Sequence, residues 1–174
     1  MGAMKKTILL AVLLGALTPT MADARKGEVV QGQATVIDGD TIRIRGERIR
    51  LYGIDAPERH QPCFTAEGVK FPCSPVVTRA LEERIRGQTV ACQVMDVDRW
   101  GRLIGRCDAP APWNGTPTGT LNRSMLASGF AVAMRRASPE YVREADIARR
   151  NRIGLWNGKF EDPYNWRRRN SVRE

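Results

Sequence analysis

Residues 36–58, VIDGDTIRIRGERIRLYGIDAPE, set Asp38, Asp40, Glu47, Asp55 and Glu58 among Arg43, Arg45, Arg48 and Arg50. Carboxylates brought together repel one another, and left without a cation their pKa values rise and the fold weakens. A divalent ion with oxygen ligands answers that need. Ca2+ or Mg2+ suits the donors better than zinc, because His60 is the only histidine and no Cys-x-x-Cys pair exists. A plainer reading stays open: Asp38-Gly39 is a turn, Asp55 caps a loop, and the arginines supply all the compensation. A hard-metal carboxylate cluster beside arginines points to phosphoryl chemistry, in which positioning and charge stabilisation do most of the catalysis. A phosphodiester is the natural substrate class. With no candidate Ser-His or Cys-His dyad, water activated by a carboxylate and a metal is the economical mechanism.

Two-residue alternation from residue 28 to residue 54 must position these groups, and it divides into EVVQGQATVID, TIRIR and RIRLYGI. Gly46-Glu47 reads as a two-residue hairpin turn. Arg45 then opposes Arg48, Ile44 opposes Ile49 and Ile42 opposes Leu51. The four aliphatic residues share one face, and Arg43, Arg45, Arg48 and Arg50 share the other. The same register sets Asp40 opposite Gly53, so DGD and GIDAPE leave the hairpin side by side and Asp40, Asp55 and Glu58 become neighbours.

Further along, Cys63 and Cys73 bracket a turn-rich loop and read as its staple. A helix follows, with Ser74 as cap, Pro75 in its first turn, the stripe Val76, Val77, Ala80, Leu81 and Ile85, and Gly87 at its end. TVACQVMDVDRWGRLIGRC reads as strand, turn and strand. A turn centred on Arg99 and Trp100 sets Cys92 opposite Cys107 and predicts a second disulfide. Residues 108–119 are a Pro- and Gly-rich loop. TLNRSMLASG is a short helix ending at Gly129. Residues 138–154 form another, capped by Ser138 and closed by Gly154, with Tyr141, Ala145, Ile147 and Ala148 as its apolar stripe. The tail FEDPYNWRRRNSVRE shows little periodicity, and Arg167 to Arg169 read as a solvated basic segment or a backbone-tracking one. Five strands with three helices predict an α+β chain built mainly of a β barrel, the architecture of an OB-fold.

The first two dozen residues have the order of a secretory signal peptide: Lys5 and Lys6, the apolar run TILLAVLLGAL, then TPTMADA ahead of Arg25. That run falls short of the roughly 18 to 20 apolar residues that cross a bilayer. Residues 1–24 are therefore expected to be a signal peptide and residues 25–174 one domain, secreted or periplasmic in a bacterium, monomeric and without lasting membrane association. Four cysteines in an exported chain favour two disulfides over a zinc site. The formal charge of +9, or +8 without Lys5, Lys6 and Asp23, biases the domain toward polyanions: nucleic acid, anionic lipid or cell-wall polymer.

VIDGDTIRIRGERIRLYGIDAPE followed by DVDRWGR resembles the signature of the thermonuclease family, whose type member is staphylococcal nuclease, a Ca2+-dependent nuclease on an OB-fold. LNRSMLASGFAVA, YVREADIARRNRIGLW and DPYNWRR extend the resemblance over nearly the whole chain after residue 24. It implies that Asp40, Asp55 and the carbonyl of Ala56 bind Ca2+ and that Glu58 is the general base. Arg50 and Arg102 would bind the scissile phosphate and stabilise its transition-state charge, for which a planar guanidinium is suited. Cleavage of the 5′ P–O bond in DNA and RNA, with little sequence preference, is the implied activity. Met134, Arg135, Arg136 and Ala137 stand where the family carries aromatic residues, which puts base stacking in doubt. Trp100 is either a stacking surface or a turn aromatic packed on the barrel. Two rival functions share these features: a nucleic-acid-binding OB-fold module without catalysis, and a surface protein whose basic face meets anionic polymer.

Overall fold

Ile42, Ile44, Ile49 and Leu51 are fully buried, while Arg43, Arg45 and Arg48 face solvent, so alternation in this hairpin resolves into an inside and an outside. Burying each such aliphatic side chain is worth about 1.5–3 kcal/mol. The structure, a computed structural model, describes residues 25–109 and 119–170; the expected signal peptide and residues 110–118 of the Pro- and Gly-rich loop lie outside them. β1 (Val29–Asp38), β2 (Thr41–Ile44) and β3 (Glu47–Leu51) run antiparallel in succession. β7 (Thr89–Val97) and β8 (Leu103–Asp108) complete the wall, β3 pairing parallel with β8 and β7 returning to β1. The result is a closed barrel in the order β1-β2-β3-β8-β7, an OB-fold.

The hairpin turn differs from the expected one. Arg45 and Gly46 both have positive φ, 49° and 86°, the requirement of a type I′ turn whose twist matches its strands. Ile42 therefore opposes Ile49, Arg43 opposes Arg48 and Ile44 opposes Glu47. Asp40 lies against Leu51, whose N–H it accepts at 2.8 Å, and not against Gly53. Because the register moves by two residues, every side chain keeps its face.

The short strands lie outside the barrel. β4 (Ile54–Asp55) pairs with β9 (Val132–Ala133), and β5 (Pro62–Phe64) lies between β6 (Lys70–Pro72) and β10 (Lys159–Phe160). Both expected disulfides are present: Cys63–Cys73 joins β5 to the following helix, and Cys92–Cys107 joins directly opposed residues of β7 and β8. A bridge closing a loop of about 15 residues is worth ~3 kcal/mol by chain entropy.

Among the described residues, four complete α-helices accompany the barrel. α1 (Cys73–Ile85) starts after Pro72, without a side-chain cap from Ser74, and ends on Arg86 in the left-handed region just before Gly87; Val76 faces solvent. α2 (Leu121–Ala127) is capped by Thr120, whose hydroxyl accepts the Arg123 N–H. Its Asn122 is fully buried, donating to the carbonyls of Tyr52 and Gly105 and accepting the Cys107 N–H, so it ties the helix to the barrel end. α3 (Pro139–Arg150) closes on Asn151 and leaves Ile147 exposed; Gly154 instead begins a 3-10 turn, Gly154–Asn157. α4 (Pro163–Asn170) arises from the tail that shows little periodicity. Among the described residues, no helix is long and apolar enough to cross a membrane.

Candidate active site

Asp40 follows a tight turn in which Asp38 Oδ1 accepts the Asp40 N–H at 3.1 Å. Gly39 is required there: a Cβ on it would lie 2.7 Å from Val77 Cγ2 and 2.8 Å from Ala56 Cβ. The turn is thereby pressed onto α1 and onto the chain after β4. Asp40 and Asp55 are each only 4% exposed. Buried carboxylates need partners, and β3 supplies the first. Arg50 Nη1 donates to Asp40 Oδ1 at 3.0 Å, and its Nη2 lies 3.0 Å from Asp40 Oδ2 and 2.6 Å from Asp55 Oδ1. The Ala56 N–H also donates to Asp40 Oδ2, and Thr41 Oγ1 to Asp40 Oδ1, each at 3.0 Å. Burial pushes the Asp40 carboxyl up to about 7; Arg50 opposes this, and Asp38 and Asp55 add to it.

Glu58 is held through its backbone. Its N–H donates to Oε1 of the fully buried Gln61, whose Nε2 donates to the carbonyl of Glu161 at 2.6 Å. This places the start of the C-terminal segment beside Glu58, and β10 pairs with β5 at Cys63 to keep it there. α4 then carries Arg167 into the cluster. Its Nη1 and Nη2 donate to Asp55 Oδ1 and Oδ2 at 2.9 and 2.7 Å, and Nη1 also donates to Glu58 Oε1. Burial opposes the charge of Arg167, but these hydrogen bonds outweigh it and hold the guanidinium above its usual pKa.

Arg102 arrives from the β7–β8 turn. Asp98 Oδ2 accepts its Nε at 2.6 Å, and Asp98 Oδ1 accepts the backbone N–H groups of Trp100 and Arg102. Partial burial works against ionisation of Asp98, but Arg102 and these N–H groups hold its carboxyl below the usual range. Trp100 is 67% exposed, with Arg99 and Arg102 centred 4.3 and 5.3 Å from its ring, so it does not pack on the barrel.

The structure thus brings Asp40, Arg50, Ala56, Glu58 and Arg102 to one cleft of about 720 Å3, with Trp100, Met134 and Arg167 also on its walls. Asp55 lies behind Arg50 and Arg167. Glu47, at the far end of the hairpin, pairs with Arg25. Met134 and Arg135 stand where the resemblance leads one to expect aromatic residues, and Arg135 instead stacks on Tyr164 of α4 at 4.4 Å.

Arg167, Gln61 and Asp98 are the members that sequence reasoning missed. A signal for α4 existed: Asp162 accepts the Asn165 N–H as a cap and Pro163 takes the first helical position. Nothing in three consecutive arginines indicates which one turns inward.

As donors for a cation, two buried carboxylates fit a hard ion in kind, since Ca2+ and Mg2+ complete their shells with backbone oxygens, water and substrate. Among the described residues no group of three or more acidic, cysteine or histidine side chains is arranged around a metal position. The lone pairs of Asp40 and Asp55 are directed at Arg50 and Arg167.

A family model described as "Staphylococcal nuclease homologue" matches residues 48–158. A micrococcal nuclease of Shigella flexneri is 34% identical over 177 residues, spanning 94% of this chain and 91% of that protein. A succinoglycan biosynthesis protein, ExoI, of Rhizobium meliloti (strain 1021) is 34% identical over 154 residues, 87% of this chain and 77% of its own. An uncharacterized endonuclease of Escherichia coli O157:H7 is 30% identical over 173 residues, 95% of this chain and 99% of its own. Barrel topology, the guanidinium-carboxylate cleft and these matches agree, and the chain belongs to the family of staphylococcal nuclease homologues.

Proposed function

We propose that this protein is an exported, monomeric, Ca2+-dependent nuclease that hydrolyses phosphodiester bonds of DNA and RNA with little sequence preference. One observation carries the reading: Glu58, Arg50 and Arg102 face one cleft at the barrel rim, with the buried Asp40 on its wall and Asp55 behind Arg50 and Arg167. The relatives named as a micrococcal nuclease and an endonuclease support it, as do the resemblance and the charge of +9.

Asp40, Asp55 and the Ala56 carbonyl would hold Ca2+, which when bound supplies Lewis acidity at the phosphate. Arg50 approaches from β3 while bridging Asp40 and Asp55, and Arg102 from the β7–β8 turn, so a phosphate between them meets two guanidinium charges as its own charge increases. Glu58 takes a proton from the attacking water as the new P–O bond forms. The bond to the 5′ oxygen breaks, and that oxygen leaves as a hydroxyl after gaining a proton, so the other product ends in a 3′-phosphate. Trp100, exposed beside Arg102, offers a face for a neighbouring base.

Plasmid degradation in Ca2+, repeated with chelator and with Glu58→Gln and Arg102→Ala, tests the proposal. Each change is expected to abolish most of the rate, removal of one charge-stabilising donor alone costing about 10²–10³-fold. Unchanged degradation in the variants would overturn the assignment. The ion pair between Arg167 and Glu58 favours one second reading, a nucleic-acid-binding module without turnover. Gel retardation without cleavage at any Ca2+ concentration would establish it.

A further inference from the structure

We propose that Arg167 is a built-in competitor for the divalent cation, occupying Asp55 and Glu58 until a phosphodiester in the cleft draws its guanidinium away. The inference rests on the metal-binding reading above and adds a residue from α4 to it.

Both oxygens of Asp55 are engaged. Arg167 takes them in the two-pronged geometry, at 2.9 and 2.7 Å, and Arg50 adds a third contact at 2.6 Å. A carboxylate offers about four lone-pair directions, so little acceptor capacity is left on this buried group. A hard cation binds oxygen at about 2.3–2.6 Å. It could not reach Asp55 at that distance without meeting a guanidinium of like charge, and Asp55 is screened from the cleft by Arg50 and Arg167. Arg50 cannot easily yield, since it alone bridges Asp40 and Asp55 and is mostly buried. Arg167 can, because its side chain is 37% exposed and lies on the cleft wall.

Release does not require α4 to leave. The root of the helix is fixed by β10 on β5, by Gln61 to the Glu161 carbonyl, and by the Arg169–Glu161 ion pair. Only the flexible stem of Arg167 has to swing. A phosphodiester in the cleft offers its guanidinium another planar pair of acceptor oxygens. The same swing uncovers Asp55 for the cation and frees Glu58 to accept a proton. Cation and phosphodiester binding are then coupled through one side chain, and the coupling is reciprocal.

Calorimetric titration of Ca2+ into the chelator-stripped full chain, with and without a dinucleoside phosphate, tests this on wild type and Arg167→Met. Without nucleotide the variant is expected to bind Ca2+ about tenfold more tightly than wild type, within the usual range of such couplings. Added dinucleotide should tighten Ca2+ binding by wild type more than by the variant. Equal or weaker Ca2+ affinity in the variant, with uptake by wild type intact, overturns the competition and leaves the nuclease reading standing. No uptake by either protein under any condition overturns both. If Arg167→Met fails to melt cooperatively, Arg167→Lys, which keeps the charge without the fork, decides. Tighter Ca2+ binding than wild type then supports the proposal, and unchanged affinity overturns it.

Discussion

Asp98 holds Arg102 by its side chain and its backbone at once: one carboxylate oxygen accepts the guanidinium Nε at 2.6 Å, and the other accepts the Arg102 N–H at 2.9 Å. The pair lies within a single turn, so a five-residue stretch carries its own orienting group. Asp98→Ala is expected to lower the cleavage rate about tenfold, less than Arg102→Ala, because the guanidinium survives but loses its aim. Thermal melts should also show a loss of about 1–3 kcal/mol from the unpaired partners. A rate equal to wild type would show that Arg102 needs no such support.

Asp40 makes stability depend on pH. Its folded pKa, about 7, lies above the usual carboxylate value, so the folded chain binds this proton more tightly than the unfolded one. The stabilisation from this group is full below about pH 4 and is lost as pH rises toward 7. Melts of chelator-treated protein across that range should therefore show a decline that Asp40→Asn lacks. On the proposed assignment of Asp40 as a Ca2+ ligand, the ion would displace the same proton, so Ca2+ uptake should strengthen as pH rises through 7.

Asn122 makes three hydrogen bonds with no exposed surface. Asn122→Ala leaves the Cys107 N–H and the Tyr52 carbonyl without this partner, at about 1–3 kcal/mol for each buried group left unsatisfied, whereas the Gly105 carbonyl keeps the Tyr52 N–H. For a domain of this size a loss of about 3 kcal/mol lowers Tm by ~6–12 °C. Scanning calorimetry checks this, and a shift under 2 °C would mean that water replaces the amide.

Gln61 links Glu58 to the segment that carries Arg167. Gln61→Ala is expected to cost about 2 kcal/mol of stability and to increase amide hydrogen exchange in residues 159–170 more than in the barrel strands. Uniform exchange across the chain would show that this side chain only fills space.

The barrel and much of the site were legible in residue order. Period-two alternation dictated which side of the β2–β3 hairpin is buried, and it did so despite a turn placed one residue late, because a two-residue register change preserves facing. The pairing of Cys92 with Cys107 followed from the same local geometry. Helix stripes were less reliable: Val76 and Ile147 fit the period yet remain about 40% exposed, at the edge of the packed face.

By itself the sequence determined the local matters: which residues alternate, that Cys92 faces Cys107, and that Asp40, Asp55 and Glu58 leave one hairpin as neighbours. Only the tertiary structure decided that Arg167, 112 residues from Asp55, closes over that carboxylate. The physical reason is that burial of Asp55 demands a countercharge but does not specify its source. That choice was made by β10 docking on β5, by Gln61, and by the helical phase that turns Arg167 inward.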